Sequence, residues 1–241
     1  MNEPDRVGSP ADPRSTVASP RDELRRAAAH VLVDDVTAPA LSDEAIHHLF
    51  RVLRLRDGEV VTITDGAGRW RRCRTLASSL EPDPEVHDEG PRAAPITIMV
   101  AIPKQDRPEW IVRKATERGV DRVVLLHAER SIVHWDGERA ERHLEKLRRV
   151  ADEALMQARR VWRTELVGPL EARPVLAEAV VAEPGGRPIA ATDRAVAVGP
   201  EGGWSDAELN AARDRVGLGP TILRVETAAV AACALMTALR G

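Results

Sequence analysis

Val198-Gly-Pro-Glu-Gly-Gly-Trp-Ser-Asp-Ala-Glu208 is the stretch on which the fold turns. The apolar run Ala195 to Val198 reads as a strand that ends directly in a glycine-rich loop, and Ser205 opens a helix. Ser205 and Glu208 have capping-box spacing, which fixes where that helix starts. Gly199, Gly202 and Gly203 let the backbone approach a ligand closely, while Pro200 stiffens the turn. Ligands of open α/β sheets sit at the carboxyl ends of strands, where this loop falls. The plain alternative is a tight strand–helix connection that binds nothing.

Working outward, Leu218-Gly-Pro-Thr-Ile-Leu-Arg-Val-Glu-Thr-Ala228 repeats the arrangement. Thr221 to Arg224 reads as a short strand. Thr227 to Leu239 reads as a helix apolar almost all round, hence buried. Arg224 and Glu226 sit where a core strand would meet a core helix, so their charges must be paired or face a cleft. An Arg–Glu structural ion pair is the alternative. Upstream, Lys104 to Glu117 is rich in charge and Glu129-Arg130-Ser131 follows a strand. Arg130 is therefore a candidate for the same cleft, whereas Arg113 and Lys114 read as a solvated face.

The rest of the second half alternates in kind. Ile96 to Ile102 and Val120 to His127 read as buried strands, and Pro188 to Ala191 as a further strand. Pro108 to Arg118, closed by Gly119, reads as a helix, as do residues 138–159. Strand, helix, strand, helix predicts an α/β layer on a mainly parallel sheet. The first half differs. A short apolar run at His30 to Val33 precedes a helix from Ser42 to Leu53, then strands at Glu59–Thr64 and Trp70–Leu76 around an Asp65-Gly-Ala-Gly68 turn. This predicts a small β-rich domain. Arg51, Arg54, Arg56, Arg69, Arg71, Arg72 and Arg74 face only Asp57, Glu59 and Asp65 between residues 47 and 76. The expected organisation is a disordered arm over residues 1–23, the small domain over 24–80, a linker or loop over 81–95 with four prolines, and the α/β domain over 96–241.

Composition narrows the function classes. The chain has 241 residues, a formal net charge of −3 and 43% apolar residues, enough for a real core. Five Trp, one Phe and no Tyr argue against a surface built mainly on base stacking. Cys73 and Cys233 are too few and too far apart for a disulfide framework or zinc knuckle, so a cytoplasmic setting without a metal site is expected. No apolar run is long enough to span a bilayer, and no signal segment is visible. Walker A, Gly-x-Ser-x-Gly and His-Glu-x-x-His patterns are absent from the sequence.

Taken together, Gly199-Pro-Glu-Gly-Gly203, Leu218-Gly-x-x-Ile-Leu-Arg-x-Glu-Thr-Ala228, Trp110-Ile-Val-x-Lys-Ala-Thr-Glu-x-Gly-Val120 and Glu129-Arg-Ser131 resemble the RsmE family. These are 16S rRNA uridine N3-methyltransferases of the SPOUT class. Glu153-Ala-x-x-Gln157, His48-Leu-Phe-Arg-Val-Leu-Arg54 and Asp65-Gly-x-Gly68 fit as well, so the resemblance covers about residues 30–240. Val225 stands where the family has Thr, and Ala158 where it has Ser. The resemblance implies an α/β trefoil-knot domain that binds S-adenosylmethionine, behind a PUA-like RNA-binding module, in a homodimer acting on 16S rRNA or the small ribosomal subunit. Carried over residue by residue, it implies cofactor contacts from Val198, Gly199, Pro200, Glu201, Gly202, Leu218, Gly219, Leu223, Arg224, Glu226, Thr227 and Ala228. It further implies RNA contacts from Arg51, Arg54, Arg56, Arg69, Arg71 and Arg72. For the chemistry, Glu226 is the expected base and Arg224 or Arg130 the expected stabiliser of the uridine anion. A non-catalytic assembly factor, or a relative methylating a ribose 2′-hydroxyl, are the competing expectations.

Overall fold

The computed structural model describes residues 19–240. A first helix, α1 (Pro20–Arg26), is capped by Ser19, whose hydroxyl accepts from Asp22 N. It leads into β1 (Ala29–Leu32). The expected disordered arm is thus corrected at its end, since residues 20–23 belong to α1, and residues 1–18 lie outside the described residues. Next comes α2 (Asp43–His47), continued by a single π turn over His48–Val52. The π turn closes with Leu53 N donating to His48 O. It breaks the 3.6-residue phase, so Leu49 is fully buried while Ile46 and Leu53 face solvent.

Strands β2 (Val60–Thr64), β3 (Arg69–Leu76) and β4 (Ser79–Asp88) complete a four-stranded sheet in the order β1-β2-β3-β4. β1 runs parallel to β2 and the other pairs are antiparallel. Strand β4 occupies most of the stretch expected to be a linker. Pro82 and Pro84 are tolerated there because β4 is an edge strand, where a missing N–H costs no ladder bond. The small domain therefore reaches Asp88 rather than residue 80.

The second sheet has six strands: β5 (Thr97–Ala101), β6 (Arg122–His127), β7 (Glu165–Glu171), β8 (Val180–Pro188), β9 (Ala195–Val198) and β10 (Asp214–Gly217). All pairs are parallel, in the order β10-β8-β9-β5-β6-β7. Its helices are α3 (Arg107–Arg118), α4 (Gly137–Gln157), α5 (Ala172–Val175), α6 (Asp206–Ala211) and α7 (Val225–Ala238). Alternate residues of β5 enter opposite cores. Ile98 and Val100 pack with α3, α4 and α7, while Met99 and Ala101 pack with α5 and Trp204. This is the three-layer arrangement that a parallel sheet requires.

Two expected strands are corrected. The run at 188–191 is only the tail of β8, and Thr221–Arg224 is irregular, its Ile222 being 82% exposed. The edge strand is Asp214–Gly217 instead, and from it the chain returns to α7 at the sheet's centre against α3, β5 and β9.

The two sheets meet along residues 159–163. His30 Nε2 donates to Arg160 O at 2.9 Å, and Arg159 donates to Ala27 O at 2.8 Å. Trp162 Nε1 donates to Glu89 O at 2.9 Å, and Arg163 N donates to Gly66 O at 2.8 Å. Arg160 is itself buried, and burial lowers its pKa to about 10. Its Nη1 donates to Thr116 O and Val120 O at the end of α3, where a cation is favoured. Among the described residues no helix is long and apolar enough to cross a membrane, and no His/Cys/Asp/Glu group is placed to hold a metal ion.

Candidate active site

The glycine loop and the 218–228 segment, separate in sequence, close on one cleft of about 390 Å³ at the carboxyl end of β9. Val198, Gly199, Pro200, Glu201, Leu218, Gly219, Leu223, Arg224 and Ala228 of the expected cofactor residues line it. Gly202, Glu226 and Thr227 do not line it. Sequence reasoning missed Ala182, Glu183 and Pro184, which reach the cleft from β8, and Trp204, Ile222 and Val225.

Each loop has a local cause for its shape. Pro200 O accepts from Gly203 N at 2.9 Å, a turn that puts Gly203 at a φ of +71°. Gly199 lies flat against the Trp204 ring. A Cβ there would sit 2.9 Å from Cε2 and 3.0 Å from Nε1. The capping box forms as expected: Glu208 N donates to Ser205 Oγ, and Ser205 N donates to Glu208 Oε2 at 2.8 Å. Glu208 is fully buried, and its other oxygen accepts from Glu129 N at 3.0 Å. One carboxylate thus ties the loop after β6 to the loop after β9. That tie brings Arg130 onto the glycine loop, where its Nη1 donates to Gly202 O at 3.3 Å.

Among the described residues, no two of the expected catalytic residues hydrogen-bond or ion-pair with each other. Arg224 is the exposed N-cap residue of α7 and makes no ion pair among the described residues. Glu226, in the first turn of α7, pairs not with Arg224 but with Arg107 Nε at 3.7 Å. Arg107 Nη1 also donates to Glu201 at 2.9 Å. Arg107 is the residue the sequence reading missed, because its two partners lie far along the chain. Two buried polar atoms have no hydrogen-bond partner here, Trp204 Nε1 in the cleft wall and Glu226 Oε2 beside it. Arg113 and Lys114 pair with Glu153 and Glu117 on the surface, as a solvated face does.

In the small domain the six expected RNA-binding arginines divide. Arg51, Arg54 and Arg56 are exposed within one connection, Arg54 at a left-handed φ of +55°. Arg69 is half-buried. Arg71 is turned inward, donating to Asp83 O and, at 3.3 Å, to Val36 O and Thr37 O. Arg72 pairs with the Asp83 carboxylate at 3.5 Å.

Comparison with known proteins agrees with this geometry. The RNA methyltransferase domain family matches residues 90–237, and the RNA methyltransferase PUA domain family matches residues 41–75. A ribosomal RNA small subunit methyltransferase E from Mycobacterium tuberculosis is 33% identical over 219 residues, covering 77% of this chain and 80% of its own. A methyltransferase of Legionella pneumophila, solved with bound cofactor SAM, superposes with a TM-score of 0.71 at 26% identity. That superposition covers 87% of this chain and 96% of the other. The Neisseria gonorrhoeae ribosomal RNA small subunit methyltransferase E bound to S-adenosyl methionine gives 0.68 at 26% identity, over 88% and 97%. The domain match over residues 90–237, with a relative 33% identical across most of both chains, makes this chain a member of the ribosomal RNA small subunit methyltransferase E family of RNA methyltransferases.

Proposed function

We propose that the chain methylates N3 of a uridine in small-subunit ribosomal RNA, with S-adenosylmethionine held in the cleft between the glycine loop and residues 218–228. The observation that carries this is the convergence of both loops on one cleft whose wall holds an unpartnered buried donor, Trp204 Nε1. The residues fit the group. Apolar Val198, Leu218, Leu223 and Ala228 suit an adenosine, and backbone groups freed by Gly199 and Gly219 can fix its polar edges. When bound, S-adenosylmethionine supplies a methyl group on an electrophilic sulfonium.

The chain's own residues supply position and proton handling. N3 of neutral uridine carries a proton that must leave, and Glu226, next in sequence to cleft-lining Val225 and with Oε2 unpartnered, is its acceptor. Arg224, at the rim without an ion-pair partner, and Arg130, held on Gly202, are the cations that stabilise the uridine anion. N3 lies on the Watson–Crick edge, so the target base is unpaired or flipped out. Arg51, Arg54 and Arg56 hold the RNA backbone from the small domain.

Two further parts of the reading rest on α7. Its return from the edge strand to the sheet's centre supports the trefoil knot. Exposed Ile222, Leu235 and Leu239, beside a second groove lined by Pro220 and Ala238, support a homodimer. Light scattering at micromolar concentration tests the dimer.

Calorimetric titration of S-adenosylmethionine into the protein, followed by digestion and mass analysis of small-subunit RNA treated with it, tests the function. Saturable binding and 3-methyluridine in the digest are expected. Binding with methyl on a ribose instead would overturn the choice of atom, and no binding to folded protein would overturn the site.

A further inference from the structure

We infer that Arg107 is a positioning residue of the methyl-transfer site, clasping the glycine loop to the first turn of α7 so that the cofactor loop and Glu226 are held in register. The inference rests on reading Glu226 as the proton acceptor. Three elements distant in sequence meet in this clasp. Arg107 opens α3, Glu201 sits in the middle of the glycine loop, and Glu226 lies in the first turn of α7. Nη1 engages Glu201 at 2.9 Å while Nε faces Glu226 Oε1 at 3.7 Å.

Only a guanidinium fits this task. Its nitrogens point in fixed, divergent directions, so one side chain serves two carboxylates at once, whereas an ammonium acts as a single point charge. The ion pair with half-exposed Glu201 has little energetic worth by itself. Its consequence is geometric. Engaging Glu226 through Oε1 fixes the carboxylate while Oε2 stays buried and without a partner. The N-terminus of α7 favours the same carboxylate from the other side. Arg107 does not itself line the cleft, so it acts through Glu201, which does, and through Glu226.

The test compares wild type, Arg107→Gln, Arg107→Lys and Glu226→Gln as full-length protein. Amide hydrogen exchange is read without RNA or cofactor, and S-adenosylmethionine binding by calorimetry. Single-turnover methyl transfer is read on unmodified small-subunit RNA with cofactor saturating. In Arg107→Gln, exchange is expected to rise about tenfold in residues 199–203 and 224–228 together, with the rest of the sheet unchanged. The transfer rate at saturation is expected to fall at least tenfold while cofactor affinity changes less than threefold. Arg107→Lys is expected to restore one of the two segments and part of the rate. Unchanged exchange in Arg107→Gln overturns the clasp, as does a loss confined to cofactor affinity. A native rate in Glu226→Gln, or no 3-methyluridine from wild type, strikes the reaction proposed above. The exchange arm still decides whether Arg107 joins the loops.

Discussion

At Gly199 the missing side chain is occupied space: the Trp204 ring already fills the position of a Cβ. The ring is buried in the second core with Ala197 and Leu176, so it cannot swing away. Gly199→Ala therefore forces the ring or the loop to shift by several tenths of an ångström. Overpacking of this kind costs about 1–3 kcal/mol, and because the shifted ring is the cleft wall, the cost falls on ligand affinity, roughly 5- to 150-fold. Calorimetric titration of S-adenosylmethionine checks this, and an unchanged affinity would remove Trp204 from the wall. Arg71 shows the opposite case, a charged residue whose work is structural. With backbone carbonyls of Val36, Thr37 and Asp83 as its partners, Arg71→Ala is expected to lower stability by about 1–3 kcal/mol in urea unfolding. It should leave the salt dependence of RNA binding unchanged.

At the scale of elements, the π turn after α2 decides which arginines are free. It carries Arg51, Arg54 and Arg56 out together on one exposed connection. Replacing all three with Ala is expected to reduce the slope of log affinity against log salt by about 2, at roughly 0.7 per phosphate contact for single strands. A slope equal to wild type would place the RNA elsewhere on the molecule. Glu208 is the corresponding joint in the large domain. Glu208→Ala leaves the N–H groups of Ser205 and Glu129 without their acceptor, a loss of about 1–3 kcal/mol each at most. It also frees the Arg130 loop, visible as faster amide exchange at 128–131. These elements differ in how far local sequence betrays them. The glycine loop and the α6 cap were legible because their signals, glycines after an apolar run and Ser205 with Glu208, are complete within a few residues. Strand β4 was not, since Pro82 and Pro84 read as loop until one sees that β4 is an edge. Ile222 misled in the other direction: an apolar run there predicts a buried strand, yet the residue is in solvent. The Arg107 clasp was out of reach because its partners lie 94 and more positions away.

At the scale of the whole molecule, what makes two domains behave as one body is a buried seam with a titratable group in it. His30 stands in β1 of the small domain, and its Nε2–H donates to the carbonyl of Arg160 in the large one. A neutral imidazole has one donor and one acceptor. In the neutral ring Nδ1 is therefore the acceptor, taking the Thr62 hydroxyl at 2.8 Å. Burial pushes the His30 pKa down from 6.5 to about 4. The unfolded chain thus takes up the proton first as pH falls, and the folded state loses ground between pH 6.5 and about 4. Above 6.5 neither state is charged and the loss is nil; below about 4 it is complete. At about 1.4 kcal/mol per unit, the whole drop is about 3 kcal/mol. The carboxylates held low, Asp22 by the Ser19 hydroxyl, Asp35 by Thr37, Asp193 by Arg187 and Asp214 by the Arg215 N–H and Arg187, add their own loss as pH approaches 3.8 and are common to both proteins compared. His143, lowered by burial, acts in the same direction but is common to both proteins compared. His30→Gln keeps a donor and an acceptor and cannot charge. Urea unfolding of wild type and His30→Gln at several pH values between 4 and 7.5 should therefore show wild type losing about 3 kcal/mol more than the variant on acidification. Parallel curves would mean that water reaches the ring and that the seam opens before the domains unfold.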